Sequence, residues 1–157
     1  MNEPDLELQV ADESHLQLLL PLVRDYHAFE KVEMTDADRV GALMPLLDAG
    51  AQLGRIWLVR SGDAVIGYGA LCFGYSIEFR GRDAFVDELF IAEGWRGRGL
   101  GSRVVNRLKA EARALGIVAL HLEVARTNDR ARQMYEKWGF LARERYHLMS
   151  CNLGRPA

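Results

Sequence analysis

At 157 residues, with 49% apolar side chains and 20 basic against 22 acidic ones, the chain is about one domain long. It can bury roughly 68–70% of its unfolded surface, which excludes a scaffold dependent on disulfides or zinc. Apolar runs fall well short of the ~20 residues of a membrane span, no charged-apolar-small leader opens the chain, and no low-complexity tract suggests disorder.

A single domain over residues 1–157, cytoplasmic and without membrane association, is therefore expected. The two cysteines, Cys72 and Cys151, show no C-x-x-C pairing and suit reduced, mostly buried thiols. The net charge of −2 conceals a division. Residues 1–93 carry 17 acids and 7 bases, and residues 94–157 carry 5 acids and 13 bases.

Leu6, Leu8 and Val10 alternate with Glu7 and Gln9, the period of a half-buried strand. Asp12 then fits an N-cap, and Leu16, Leu19, Leu20 and Val23 follow at helical spacing, with Pro21 expected to kink or split the helix. Thr35 caps a second helix, with Asp38 three places on in a near capping box. Its stripe is Val40, Leu43, Met44 and Leu47, and Gly50 is its expected stop. Ile56–Val59 and Ala64–Phe73 read as strands joined by a hairpin at Ser61-Gly62-Asp63, and Phe85–Ile91 as a third.

A glycine-rich turn over 94–101 precedes a helix with Leu100, Val104, Leu108, Ala112 and Leu115 on one face and Gly116 at its C-terminus. Val118, Leu120, Leu122 and Val124 are expected on one face of the next strand. Asn128-Asp129 opens a short helix with the stripe Ala131, Met134, Tyr135 and Trp138, ended by Gly139. Phe140–Ala142 and Tyr146–Cys151 are the last two expected strands. The order β-α-α-β-β-β-α-β-α-β-β predicts an α/β (α+β) fold: a mixed, mostly antiparallel central sheet with helices on both faces.

The segment Arg96-Gly97-Arg98-Gly99-Leu100-Gly101 sits between a strand and a helix. A helix start carries partial positive charge and unpaired N–H groups, so it suits an anion. Glycines let the backbone approach that anion, and arginines add forked hydrogen bonds. A P-loop would need a lysine where Gly101-Ser102-Arg103 has none. A G-x-G-x-x-G fingerprint fails at Ser102 from one start and at Val104 from the other.

Arg/Gln-x-x-Gly-x-Gly/Ala after a strand and opening a helix resembles the acetyl-coenzyme A signature of the GCN5-related N-acetyltransferases. The resemblance extends to Asp87-Glu88-Leu89-Phe90-Ile91, to Glu123-Val124-x-x-x-Asn128, and to Ala131-x-x-x-Tyr135-x-x-x-Gly139-Phe140. It covers about residues 85–141. Glu93-Gly94 stands where the family often has proline.

The resemblance implies that the coenzyme's pyrophosphate sits on backbone N–H groups of Arg96, Gly97, Arg98, Gly99, Leu100 and Gly101, with Ser102 close by. The pantetheine arm would pair with the strand around Phe90 and Ile91, and N–H groups of Leu89–Ile91 would stabilise the oxyanion. A bulge or splay falls near this point in the family. Asn128 either reaches the coenzyme or caps its helix, and both roles can coexist. Tyr135 is either the acid that protonates the departing thiolate or a packing residue.

Glu88 is the first choice of base, against a reading as a solvated edge carboxylate, and only one of Asp87 and Glu88 is expected to face the cleft. Glu30, Glu78, Glu123 and His27 are lesser candidates. His15, His121 and His147 lack metal-ligand spacing, and no metal is expected. The implied activity is transfer of an acetyl group from acetyl-CoA to a primary amine, without a covalent enzyme intermediate. The acidic first part of the chain points to a cationic small-molecule acceptor such as a diamine, polyamine or amino-acid amine. Family members commonly form homodimers. Two other readings are a non-catalytic acyl-CoA sensor and a nucleic-acid-binding module built on Arg96–Arg107. A pI near 6.1 and the lack of an aromatic RNA motif weigh against the second, so no nucleic-acid partner is expected.

Overall fold

Five strands form one sheet in the computed structural model, which describes residues 5–48, 50 and 52–155. They are β1 (Leu6–Val10), β2 (Gly54–Ser61), β3 (Ala64–Ser76), β4 (Gly81–Ile91) and β5 (Ile117–His121), side by side in that order. The first four pair antiparallel, and β5 lies parallel to β4. Between them run α1 (Leu16–Glu30), α2 (Asp36–Leu47) and α3 (Leu100–Ala114). The chain divides into two compact units, one through Glu123 and one from Val124, the second holding α4 (Asp129–Lys137). No helix among the described residues is long and apolar enough to cross a membrane.

Both faces of the sheet are covered, as the long apolar runs of β2 and β3 require. Ile56, Leu58, Tyr68, Ala70 and Phe90 pack with Leu19, Val23, Leu43 and Leu47 of α1 and α2. Trp57, Val59, Leu71 and Ala84 pack with Leu100, Val104, Leu108 and Ala112 of α3 on the other face. Full burial of each large aliphatic side chain contributes about 1.5–3 kcal/mol, so each face of the sheet is held to its helices by a core of its own.

Local signals explain the element ends. Thr35 and Asp38 form a reciprocal capping box at the start of α2, a device in which the cap alone contributes ~1 kcal/mol. Gly62 has φ +57° in the two-residue connection of β2 to β3, the left-handed region that a tight hairpin needs.

Several expectations are corrected. Pro21 does not split α1, because it lies on the exposed face and removes only the hydrogen bond to the carbonyl of Gln17, which solvent can reach. Asp12 caps a short 3-10 turn, Glu13–His15, that precedes α1. Helix α2 ends at Leu47, where Asp48 turns extended, so Gly50 is not its stop. β5 ends at His121, leaving Leu122 and Val124 outside it. Its pairing steps from Ile117 to Ala119 between Arg82 and Asp83, so Val118 is the extra residue of a bulge. The alternation slips there, putting Ile117 and Leu120 on the α3 side and leaving Val118 exposed.

The two final strands do not form: residues 138–155 contain no strand. Leu141, Leu148, Met149 and Leu153 are exposed, so the segment buries too little apolar surface to hold a hairpin, which is marginal by itself. Its order is local, with the Arg143 and Arg145 guanidiniums over the Tyr146 ring at 4.6 and 5.5 Å.

Candidate active site

The site begins with a slip in β4. Ala70 pairs with Glu88 and Leu71 with Val86, so Asp87 is the extra residue of a bulge, which re-aims the strand locally. Before it, Ala84 and Val86 face α3. After it, Leu89 and Ile91 face α3, and Phe90 faces α1 and α2. In a regular strand Glu88 would share the α3 face with Val86. The bulge turns it to the side of α1.

There Glu88 meets a chain of donors. Its Oε2 lies 2.7 Å from His27 Nε2, and its Oε1 accepts from the Tyr68 hydroxyl at 2.9 Å. His27 is a buried member of α1, and its Nδ1 accepts from Arg39 Nε at 3.2 Å. Arg39 also donates to Asp36 Oδ1 at 2.9 Å, and Arg24 grips both oxygens of Asp36. Burial above all, with the Glu88 carboxylate and the hydrogen bond to it, pushes the Tyr68 phenol up, so Tyr68 stays a donor at any physiological pH. The Arg24 hydrogen bonds, chiefly, draw the Asp36 carboxyl down to about 2. The Arg24–Asp36–Arg39 clamp between α1 and α2 is thus fully present above pH ~4 and is lost as pH falls toward 2.

Asp87 is exposed yet lies close enough to act on Cys72. Burial, then the Asp87 and Glu88 carboxylates, pushes that thiol up to about 11. Cys72 pairs with Phe85 on β4 and is half-buried, while Cys151 is exposed, so the expectation of two mostly buried thiols is corrected for Cys151. The thiolate is the nucleophile, so iodoacetamide at pH 7.5 is expected to label exposed Cys151 and spare Cys72. Raising the pH toward 11 should bring Cys72 into reaction. Mass spectrometry of the native protein reads both sites, and rapid double labelling at pH 7.5 would contradict this environment.

β4 also has an open edge. Its pairing with β5 covers only Arg82–Phe85. Beyond that, the Phe90 carbonyl points toward β3, where it crowds Gly67, and the Ala92 N–H donates to Ile66 O at 2.8 Å. The Ile91 carbonyl points the other way and accepts from Arg96 Nε at 2.8 Å. Strand alternation therefore places the N–H groups of Leu89 and Ile91 on the open edge.

The turn after β4 is shaped by Gly97 and Gly99, at φ +74° and +71°. Among the described residues, and apart from each glycine's own chain neighbours, no atom lies within 4 Å of where either would carry a Cβ, so the space beside each glycine is open. Gly99 is the N-cap of α3 and no side chain caps that end. Gly99, Leu100, Gly101 and Ser102 thus contribute first-turn N–H groups without intrahelical partners. Leu100 is buried and anchors the helix start in the core.

The arginines behave differently from expectation. Arg96 is held by the Ile91 carbonyl and its guanidinium lies over Phe29 and Phe90, 5.4 and 5.2 Å from the ring centres. Arg98 donates to Gly94 O at 3.1 Å and covers Trp95 at 5.1 Å. Their side chains brace the turn through contacts within the protein.

In the second unit, Asn128 caps α4 by accepting from the Ala131 N–H at 3.1 Å. Half-buried Tyr135 meets Trp138 and Phe140 edge-on, with ring centres 5.5 and 5.8 Å apart. Among the lesser candidates, Glu30, Glu78 and Glu123 are exposed. His121 pairs with Asp83 at 3.1 Å, His15 closes the Asp12 capping box, and His147 lies 2.9 Å from Arg126. Among the described residues no group of three His, Cys, Asp or Glu side chains could hold a metal ion. Sequence reasoning missed Tyr68 and Arg39. The signal for Tyr68 is a phenol amid the apolar run of β3, where a buried hydroxyl needs a partner.

A strand with a bulge and an open edge, running into a glycine turn and a helix, is the arrangement expected from the acetyltransferase resemblance. Residues 20–140 match the model of the Acetyltransferase (GNAT) family, and the chain belongs to that family. It is 32% identical over 78 residues to thialysine N-epsilon-acetyltransferase of Bos taurus, covering 50% of this chain and 45% of that protein. It is 33% identical over 89 residues to the IAA acetyltransferase of Azospirillum brasilense, covering 57% and 56%. The chain thus spans about half the length of the curated relatives it matches. Among solved structures, an integron cassette protein from the mobile metagenome of Cole Harbour Salt Marsh superposes with a TM-score of 0.81. It is 28% identical, over 95% of this chain and 91% of that one.

Proposed function

We propose that the protein is an N-acetyltransferase that moves an acetyl group from acetyl-CoA to the primary amine of a cationic small molecule. The observation that carries this reading is the single unit of β4, turn and α3. It combines outward N–H groups at Leu89 and Ile91, a buried-side carboxylate at Glu88 and an open, uncapped helix start at Gly99.

In this reading the N–H groups from Arg96 through Gly101, with Ser102 close by, hold the pyrophosphate of acetyl-CoA at the positive end of α3. The pantetheine amides pair with the open edge at Leu89–Ile91 as an added strand would. Glu88 takes a proton from the acceptor's ammonium, and the freed nitrogen attacks the thioester carbonyl. A new C–N bond forms, the C–S bond breaks, and N–H groups on the β4 edge stabilise the oxyanion between these events. Tyr135 gives its proton to the leaving thiolate and regains one from the acylated nitrogen, leaving a neutral amide, while Glu88 releases its proton to solvent. Asn128 serves both as cap and as a contact to the coenzyme.

The cationic acceptor rests on charge. Asp87 and Glu88 lie at the bulge, and the chain through residue 93 is strongly acidic. The bovine relative is named for acetylating the N-epsilon of thialysine, which agrees with a lysine-like amine. The test is calorimetry with acetyl-CoA followed by thiol-release assays across diamines, polyamines, lysine-like, neutral and anionic amines. Binding with turnover on cationic amines is expected. No heat with acetyl-CoA overturns the enzyme reading, and turnover confined to neutral or anionic amines overturns the cationic acceptor.

A further inference from the structure

His27 is a buried polar side chain in an otherwise apolar cluster formed by α1, α2 and the sheet. Burying an imidazole costs free energy unless both nitrogens are satisfied, and both are. A guanidinium can only donate, so the Arg39 bond makes Nδ1 an acceptor and leaves the ring proton on Nε2. That proton points at Glu88 Oε2, 2.7 Å away. His27 therefore has no lone pair left with which to act as a base.

The imidazole is fixed from several sides. Arg39 is anchored on Asp36, which Arg24 holds from α1. The Tyr26 ring lies 6.0 Å from that of His27, tilted by 49°. Tyr68 occupies the other oxygen of Glu88 from β3. A carboxylate on a flexible stem, held at each oxygen by a different rigid element, cannot rotate without losing a hydrogen bond. Each oxygen retains a second lone pair, and the direction of those lone pairs is set.

We propose that His27 is a positioning residue: its Nε2–H, oriented by Arg39, acts with the Tyr68 hydroxyl to aim the free lone pairs of Glu88 at the incoming amine. This rests on the reading of Glu88 as the base. Misplacing a reacting group by about 1 Å can cost ~100-fold in rate, so the network sets catalytic efficiency without touching substrate.

His27→Leu keeps most of the volume and removes the donor. It is expected to lower kcat about 10–100-fold, with KM for acetyl-CoA within about twofold, because the coenzyme lies along a different edge. His27→Gln places an amide N–H near the lost donor and should recover most of the rate. In a Glu88→Gln background, His27→Leu should add no further loss, since it acts only through that carboxylate. If His27→Leu does not fold, Tyr68→Phe removes one oxygen atom from the same network and should show the same selective fall in kcat. Unchanged kcat in His27→Leu, or losses that multiply with Glu88→Gln, would overturn the positioning role and leave the base intact. Full activity of Glu88→Gln itself would overturn both.

Discussion

Glu88→Gln is expected to lower kcat by ~10²–10⁴-fold, the range that a positioned general base contributes, while the protein stays folded and still binds acetyl-CoA. The fold is preserved for a local reason. In the wild type both carboxylate oxygens accept, from His27 Nε2 and from the Tyr68 hydroxyl. The glutamine carbonyl can accept from His27, and its amide can donate to Tyr68, because a hydroxyl rotates to accept as readily as it donates. Glu88→Ala would instead strand two buried donors at about 1–3 kcal/mol each and confound activity with stability. Initial rates against a cationic amine, with calorimetry of acetyl-CoA on the same sample, separate the effects. Wild-type turnover would remove Glu88 from the mechanism. A variant that binds the coenzyme but does not turn over is the expected result.

That carboxylate shows how the strand period can mislead. Asp87 and Glu88 are neighbours, and simple alternation sends them to opposite faces. The bulge changes the outcome, and its trace is present in the apolar pattern: Ala84 and Val86 are two apart, Leu89 and Ile91 are two apart, and the step between the pairs is three. The same slip recurs between Ile117 and Leu120 in β5. Where periodicity is continuous, as in α3, the expected stripe Leu100, Val104, Leu108 and Ala112 is buried, and the structure adds Val105 to it. Reciprocal caps such as Thr35 with Asp38 are equally legible, since both partners lie within one turn.

Contacts across the sheet are a different matter. His27 and Glu88 are separated by 61 positions, and no local pattern relates them, so the Asp87-Glu88 pair is legible in the sequence while the side chains that hold Glu88 are not. The glycine turn is legible as a turn between strand and helix, but composition cannot show that Phe29, Phe90 and Trp95 stand beside its arginines. At the C-terminal end, the expected strands Phe140–Ala142 and Tyr146–Cys151 do not form. A strand is a relation between two segments, and the second unit supplies no partner.

Tyr135→Phe is the sharpest test of the other proposed catalytic group. The phenol reference pKa of ~10 lies above the ~8.5 of a thiol, so the hydroxyl keeps its proton at neutral pH and still shares it as the C–S bond breaks. If it does so, kcat should fall ~10²–10⁴-fold. The competing role is packing: Tyr135 sits edge-on to Trp138 and Phe140 at interplanar angles of 86° and 78°. Phenylalanine retains those ring contacts, each about 0.5–1.5 kcal/mol beyond area burial, so a packing residue would tolerate the change. The two roles therefore predict opposite results from one variant. Tm should remain within about 2–4 °C, the shift corresponding to ~1 kcal/mol in a protein of this size, while turnover collapses. Turnover equal to wild type at unchanged Tm would leave Tyr135 as packing alone, and the leaving thiolate would then need another proton source.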